Sequence, residues 1–130
     1  MKIKSWYILV IFALVTILHI SAISFGWYSG SVIWIDNVQH ILSGIAFAML
    51  FLLLYKKPTK KKQTIIYIIL FVFVTSIIWE LLEFTLLTLA PEYAKQFSLY
   101  SPTIVESSED IISNMIGGVI FAILYLINKK

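Results

Sequence analysis

Apolar residues run along this chain in four long blocks separated by short polar breaks. The blocks are Ser5 to Phe25, Ile35 to Tyr55, Thr64 to Ala90 and Ile111 to Asn128. Each is near the roughly 20 residues that a helix needs to cross a hydrocarbon core. The pattern predicts an all-α polytopic membrane protein, a bundle of four transmembrane helices forming a single domain. The breaks differ in character. Gly26 to Trp34 mixes glycine and serine with Trp27, Tyr28 and Trp34, as in a tight turn at headgroup level. Lys56-Lys57-Pro58-Thr59-Lys60-Lys61-Lys62 cannot lie in lipid. The stretch over residues 91–110 starts at Pro91, is too polar to cross, and is long enough for a short surface helix.

Composition agrees with the pattern. Hydrophobic residues make up 60% of the 130 positions and charged ones only 13%, far from a soluble mixture. Cysteine is absent, which removes disulfides and thiolate chemistry. Arginine is absent too, which removes bidentate phosphate clamps, so no nucleic-acid partner is expected. The net charge of +3 comes from lysines placed as topology signals. With the lysine loop in the cytoplasm, both termini are also cytoplasmic and only Lys95 is outside. All acids then fall toward the extracytoplasmic side of a multi-pass plasma-membrane protein. Residues 1–24 also resemble a secretory signal, with Lys2 and Lys4 before an apolar run and Ala22-Ile23-Ser24 at cleavage spacing. The run is long for a signal and contains His19, so it is expected to stay as the first span.

Polar groups converge at one depth. Asp36 opens the second span and His40 follows one turn later on the same face. With a rise of about 1.5 Å per residue, Glu80 stands roughly 24 Å above Thr64 in the third span, with Glu83 a turn higher. Glu106, Asp110 and Asn114 recur every fourth residue toward the start of the fourth span, and Gly118 and Ala122 continue that row. Gly44 and Ala48 continue the row of Asp36 and His40. Small residues four apart let helix backbones approach in lipid, so the second and fourth spans are expected to touch there. His19 reaches a comparable depth on the first.

Carboxylates gathered this near lipid repel unless they share protons, are bridged, or bind a cation. Asp36, His40, Glu80, Glu83 and Asp110 are the candidate metal ligands, supported by Glu106, Asn114 and His19. The expected cofactor is a divalent ion of open identity: magnesium, calcium or manganese for an oxygen-rich site, zinc or iron if histidine joins. Each residue also has a plainer reading. Asp36 and Asp110 can be first-turn acids favoured by the helix dipole, Glu83 and Glu106 can sit at the wet interface, and His19 can be a packed, hydrogen-bonded histidine. Trp79 reads as an interfacial anchor. Glu80 resists such a reading, since it is deepest by this count.

Three blocks, Asp36-x-x-x-His40-x-x-x-Gly44, Trp79-Glu80-x-x-Glu83 and Glu106-x-x-x-Asp110-x-x-x-Asn114-x-x-Gly117-Gly118, resemble the small YjdF-type membrane proteins of unknown function and, more distantly, the VanZ-like family. The likeness covers about Ile35 to the end of the chain. It implies an Asp and a His on one helix, a Glu pair on the next and an acidic-Asp-Asn-Gly helix last. Where the pattern has aspartate this chain carries Glu106. Neither family implies an established reaction.

The leading functional expectation is a cell-envelope protein whose acidic site binds a divalent cation or a polar headgroup. A second is a metal-dependent hydrolase or transferase on a lipid or lipid-linked phosphate, with metal held by Glu80, Glu83 and Asp110 and His40 as general base. Whether the protein is an enzyme at all stays open. A third is a cation- or proton-coupled carrier, disfavoured because the inner half of all four spans is nearly free of polar residues. Membrane lipids are the expected partners, and homo-oligomerisation is left open.

Overall fold

The computed structural model of the protein describes residues 3–29, 34–55, 60–99 and 103–128. Much of the lysine loop (Lys56 to Thr59), the glycine turn at Gly30 and Ser31, Pro102 and the last two lysines lie outside these residues. Every regular element described is helical. The helices are α1 (Ser5–Ser24), a 3₁₀ turn at Trp27–Ser29, α2 (Trp34–Leu54), α3 (Lys61–Leu89), the short α4 (Pro91–Gln96) and α5 (Ile104–Asn128). Four of them, α1, α2, α3 and α5, are long and apolar enough to cross a membrane.

Local chemistry sets the helix ends. Pro91 occupies the start of α4, where its missing N–H costs nothing. Ser98, with φ of 49°, ends that helix in a Schellman motif. Its N–H bonds Lys95 O at 3.2 Å, and the Leu99 N–H bonds Ala94 O at 2.9 Å. Helix α5 begins at Ile104, about two turns before the apolar run that announced it. The cause is a side-chain N-cap at Thr103. Thr103 Oγ1 accepts the Glu106 N–H at 3.2 Å and donates to Glu106 Oε2 at 3.0 Å, so a polar turn that lipid would not require is helical anyway. At the other end of the bundle Lys61 Nζ donates to Leu126 O at 2.8 Å, neutralising the negative end of α5.

The bundle is held by the pairing of α2 and α5. A Cβ built on Gly44 would stand 2.0 Å from Asn114 O, and one on Gly117 would stand 2.0 Å from Ile41 O. The two backbones are therefore in contact, and only hydrogen fits between them. Gly118, expected to face the second span, instead faces α3, where a Cβ built on it would stand 3.1 Å from the Val72 side chain. One residue is about 100° of helix rotation, so Gly117 serves α2 while Gly118 serves α3. Below this crossing lies an apolar core that includes Ala46, Ala48, Ile68, Val72, Phe121 and Tyr125. Helix α1 is apolar on all sides, buries only Ile8 and Ala22, and packs on α2 and the following turn without approaching α3.

These contacts rank three substitutions. Gly44→Ala and Gly117→Ala force peptide groups apart and should each destabilise the protein by about 1–3 kcal/mol. Gly118→Ala meets only valine methyls and should cost less than either. Unfolding midpoints in detergent test the order, and a Gly118→Ala defect as large as the others would contradict it.

Candidate metal centre

Two pairs of residues four apart, one on each of the touching helices, build the polar end of the bundle. Asp36 and His40 share a face of α2, and Asp110 and Asn114 share a face of α5. The close crossing brings them together. His40 Nε2 lies 3.7 Å from Asp36 Oδ1 and 3.5 Å from Asp110 Oδ1, and ligand atoms of all three residues lie within 4.8 Å of one another. Asp110 and Asn114 are 4% and 1% exposed, whereas the Asp36 side chain is 44% exposed, so the group is buried on its α5 side and open at Asp36.

Asn114 determines the state of the imidazole. Its Nδ2 lies 3.0 Å from His40 Nδ1 and also donates to Asp110 O at 3.2 Å. An amide nitrogen only donates, so Nδ1 is the acceptor and the ring proton sits on Nε2. That proton faces both aspartates at separations too long for an ordinary hydrogen bond. The amide oxygen, Asn114 Oδ1, is buried with no hydrogen-bond partner among the described residues. Next to the group Ser113 Oγ donates to Asn37 Oδ1 at 3.3 Å, a further tie between α2 and α5.

A cavity of about 260 Å³ adjoins the group. Its polar wall includes His19, Asp36, Gln39, His40, Glu83 and Asn114, and its apolar wall includes Phe12, Val15, Phe47 and Leu99. Glu83, 8% exposed, accepts a hydrogen bond from Trp79 Nε1 at 2.8 Å, so Trp79 orients a carboxylate. His19 is tied into a relay above the cavity. Its Nε2 lies 2.9 Å from Phe97 O and its Nδ1 2.6 Å from the Tyr28 hydroxyl. A carbonyl only accepts, so in the neutral ring Nε2 donates and Nδ1 accepts the Tyr28 proton. Gln39 Nε2 then donates to Tyr28 Oη at 3.0 Å. Burial pushes the Tyr28 phenol up to about 12, with the charges of Asp36 and Glu83 adding and the Gln39 bond opposing.

The structure thus brings together Asp36, His40 and Asp110, with Glu83 on the same cavity and Asn114 behind the histidine. It does not bring Glu80 to them. Glu80 does not line the cavity, and both its carboxyl oxygens are buried without a hydrogen-bond partner among the described residues. Glu106 is exposed and belongs to the helix cap. Ala48 and Ala122 are buried in the core. Sequence reasoning missed Gly117 as the contact to α2, and Gln39, Tyr28, Asn37 and Ser113 as polar partners. An amide at Gln39 inside an apolar run was an available signal, and Thr103-x-x-Glu106 was a legible N-cap signature.

A helical bundle with four membrane-length helices and a buried Asp–His–Asp group at one end defines a small polytopic membrane protein. The chain belongs to the family described as "Predicted membrane protein (DUF2238)", whose model matches residues 1–130. That is the YjdF family, and the match takes in α1 as well as the three motif-bearing helices. No curated protein and no solved structure matches the chain.

Two measurements follow from this end of the molecule. Replacing Glu80 by methionine removes two unsatisfied buried oxygens and should raise the unfolding midpoint by the equivalent of about 1–3 kcal/mol; a lower midpoint would mean that the carboxyl has a partner. The Tyr28 pKa is higher in the folded protein than the ordinary value of 10.0, so the folded state holds that proton more tightly. Its contribution to stability is complete below pH 10 and is lost as pH rises toward about 12. Midpoints of the wild type should fall more steeply over this range than those of Tyr28→Phe, and parallel curves would exclude the effect.

Proposed function

We propose that this protein binds a divalent cation between Asp36 Oδ1, His40 Nε2 and Asp110 Oδ1, in a multi-pass plasma-membrane protein with the site on the extracytoplasmic side. The reading rests on spacing. Two atoms each 2.0–2.2 Å from one ion and spread at the tetrahedral angle lie about 3.4 Å apart. The Nε2 to carboxylate separations of 3.5 and 3.7 Å are long for a hydrogen bond and suit an interposed ion. One nitrogen with two oxygens favours zinc, manganese or iron over calcium or magnesium. Sidedness is argued from charge: Lys60 and Lys61 stand at the opposite end of the bundle, and lysine loops stay in the cytoplasm.

Loading requires a proton to move. To ligate, Nε2 must be bare, so the ring proton passes to Nδ1 and needs an acceptor. Turning the Asn114 amide over supplies one. Oδ1 then accepts from Nδ1, and the oxygen left without a partner acquires one at the expense of the Nδ2 bond to Asp110 O.

A hydrolase is the weaker reading, because the residue suited to be its general base, His40, is here a ligand. A carrier is weaker still: the buried residues below the group include Ala46, Ala48, Met49 and Phe121, and the buried hydroxyls of Ser76 and Thr64 stand about 18 Å apart along α3. An envelope role for the cation site follows from its proposed side of the membrane.

Elemental analysis and calorimetric titration of the detergent-purified protein with zinc and manganese test the proposal. One ion per chain is expected. Asp110→Asn and His40→Ala should abolish binding, Asn114→Leu should weaken it roughly 10–100-fold, and Glu80→Gln should leave it unchanged. A wild type that takes up neither metal, or an Asp110→Asn variant that binds as tightly, would overturn it.

A further inference from the structure

The cavity beside the Asp–His–Asp group has a side wall that no helix contact closes. Helix α1 supplies Phe12, Val15, Thr16 and His19 to it, and α3 supplies Trp79 and Glu83, yet α1 and α3 do not pack on each other. Thr16 and Trp79 line the cavity and are also exposed. They mark the two edges of a gap that faces the surrounding lipid. The cavity runs along the bundle: Phe12 to His19 on α1 spans about 10 Å of helix rise, and Asp36 to Phe47 on α2 about 16 Å.

Its two ends differ in chemistry. The deep end is hydrocarbon and aromatic, with Phe12 and Phe47 meeting edge to face at 5.8 Å between centroids. The other end carries the carboxylates of Asp36 and Glu83, and among the described residues no lysine lines the cavity. Gln39 adds an acceptor there. It is 5% exposed and borders the cavity. Its Oε1 lies 3.2 Å from the Tyr28 hydroxyl, and an amide oxygen has two lone pairs. A buried amide oxygen with a further lone pair to offer therefore borders the cavity. Negative charge and an open acceptor at one end, with hydrocarbon walls at the other, complement a cation that carries N–H donors on an apolar body. An anionic or phosphate head has no positive side chain to meet.

We infer that this cavity binds a primary-amine amphiphile from the membrane, its ammonium against Asp36, Glu83 and Gln39 Oε1 and its hydrocarbon along Phe12, Val15 and Phe47, entering between α1 and α3. An ammonium offers three donors to these three acceptors. The occupant is distinct from the divalent ion proposed above, and neither requires the other.

Dodecylamine is the probe, added to the full-length protein in lipid nanodiscs and read as ligand retained per chain by native mass spectrometry. Dodecanol, dodecyl sulfate and methylamine separate the contributions of charge and tail. Dodecylamine should be retained at least roughly tenfold better than the other three, with or without chelator. Val15→Trp fills the hydrocarbon end, Thr16→Trp blocks the gap from its exposed edge, and Glu83→Gln removes a charge. Each should reduce retention several-fold while leaving zinc uptake intact, and circular dichroism shows which variants fold. Equal retention of dodecanol or dodecyl sulfate, or undiminished retention in both folded tryptophan variants, would overturn the inference. Retention of dodecylamine by a protein that takes up no metal would overturn the cation site alone, and zinc uptake without amine retention would overturn this inference alone.

Discussion

The contact between the α2 and α5 backbones governs what the rest of the molecule can do. Lipid gives no hydrophobic reward for bringing two apolar helices together, so their association must come from close packing and from polar groups that satisfy one another. Gly44 and Gly117 supply the first, each lying where a methyl group would strike a carbonyl of the opposite helix. Asn114 and His40 supply the second at the same level. The two effects reinforce each other. Packing this close fixes the distance at which Asp36 and His40 meet Asp110, and the buried hydrogen bonds penalise any sliding of one helix along the other.

The same constraint separates the two ends of the bundle. Toward the lysine-bearing end the interface is filled by alanine, valine, isoleucine and phenylalanine, and α3 closes it by setting Val72 against Gly118. Toward the other end the helices carry polar side chains, α1 stands away from α3, and a cavity remains. The relay from Gln39 through Tyr28 and His19 to Phe97 O bridges α2, the turn after α1, α1 itself and the segment after α4. Since α1 buries so little of its own surface, these bonds tie its end to the segment that leads into Leu99. The carboxylates of Asp36 and Glu83 thereby face a confined volume.

Much of this was legible in the sequence because lipid writes strict rules. A spanning helix needs an apolar run of set length, so four runs gave four helices, and residues four apart put Asp36 with His40 and Asp110 with Asn114 on common faces. Counting along a helix measures depth well and direction poorly. Glu80 was singled out by its height along the helix, yet it stands about 100° from Trp79, whereas Glu83, four residues on, returns to within about 40° of it and to the cavity. The Gly118 row was likewise real but faced another neighbour, since α5 packs against two helices and a single row describes one face. The early start of α5 was missed for a different reason. Its first turns are stabilised by a cap rather than by lipid, and a reading tuned to hydrophobicity passes over a polar Thr103-x-x-Glu106 turn.

Among the described residues two groups, a carboxamide and a carboxyl, are buried with oxygens unpartnered, and their settings differ in a way that bears on meaning. Asn114 Oδ1 lies one side-chain rotation from a ring nitrogen that would need an acceptor if the other nitrogen bound an ion. Its present deficit is thus the counterpart of a second state of the same group, and the helix contact that buries it also holds it within reach. Glu80 has no such counterpart among the described residues: it borders no cavity, and the Asp36–His40–Asp110 group forms without it. Burial of an unpartnered carboxyl is costly whether or not it serves a function, so cost alone cannot identify a functional residue. A deficit that a defined rearrangement at a neighbouring site would relieve is the stronger sign, and by that criterion the better candidate site lies between α2 and α5 rather than at the deepest acid of α3.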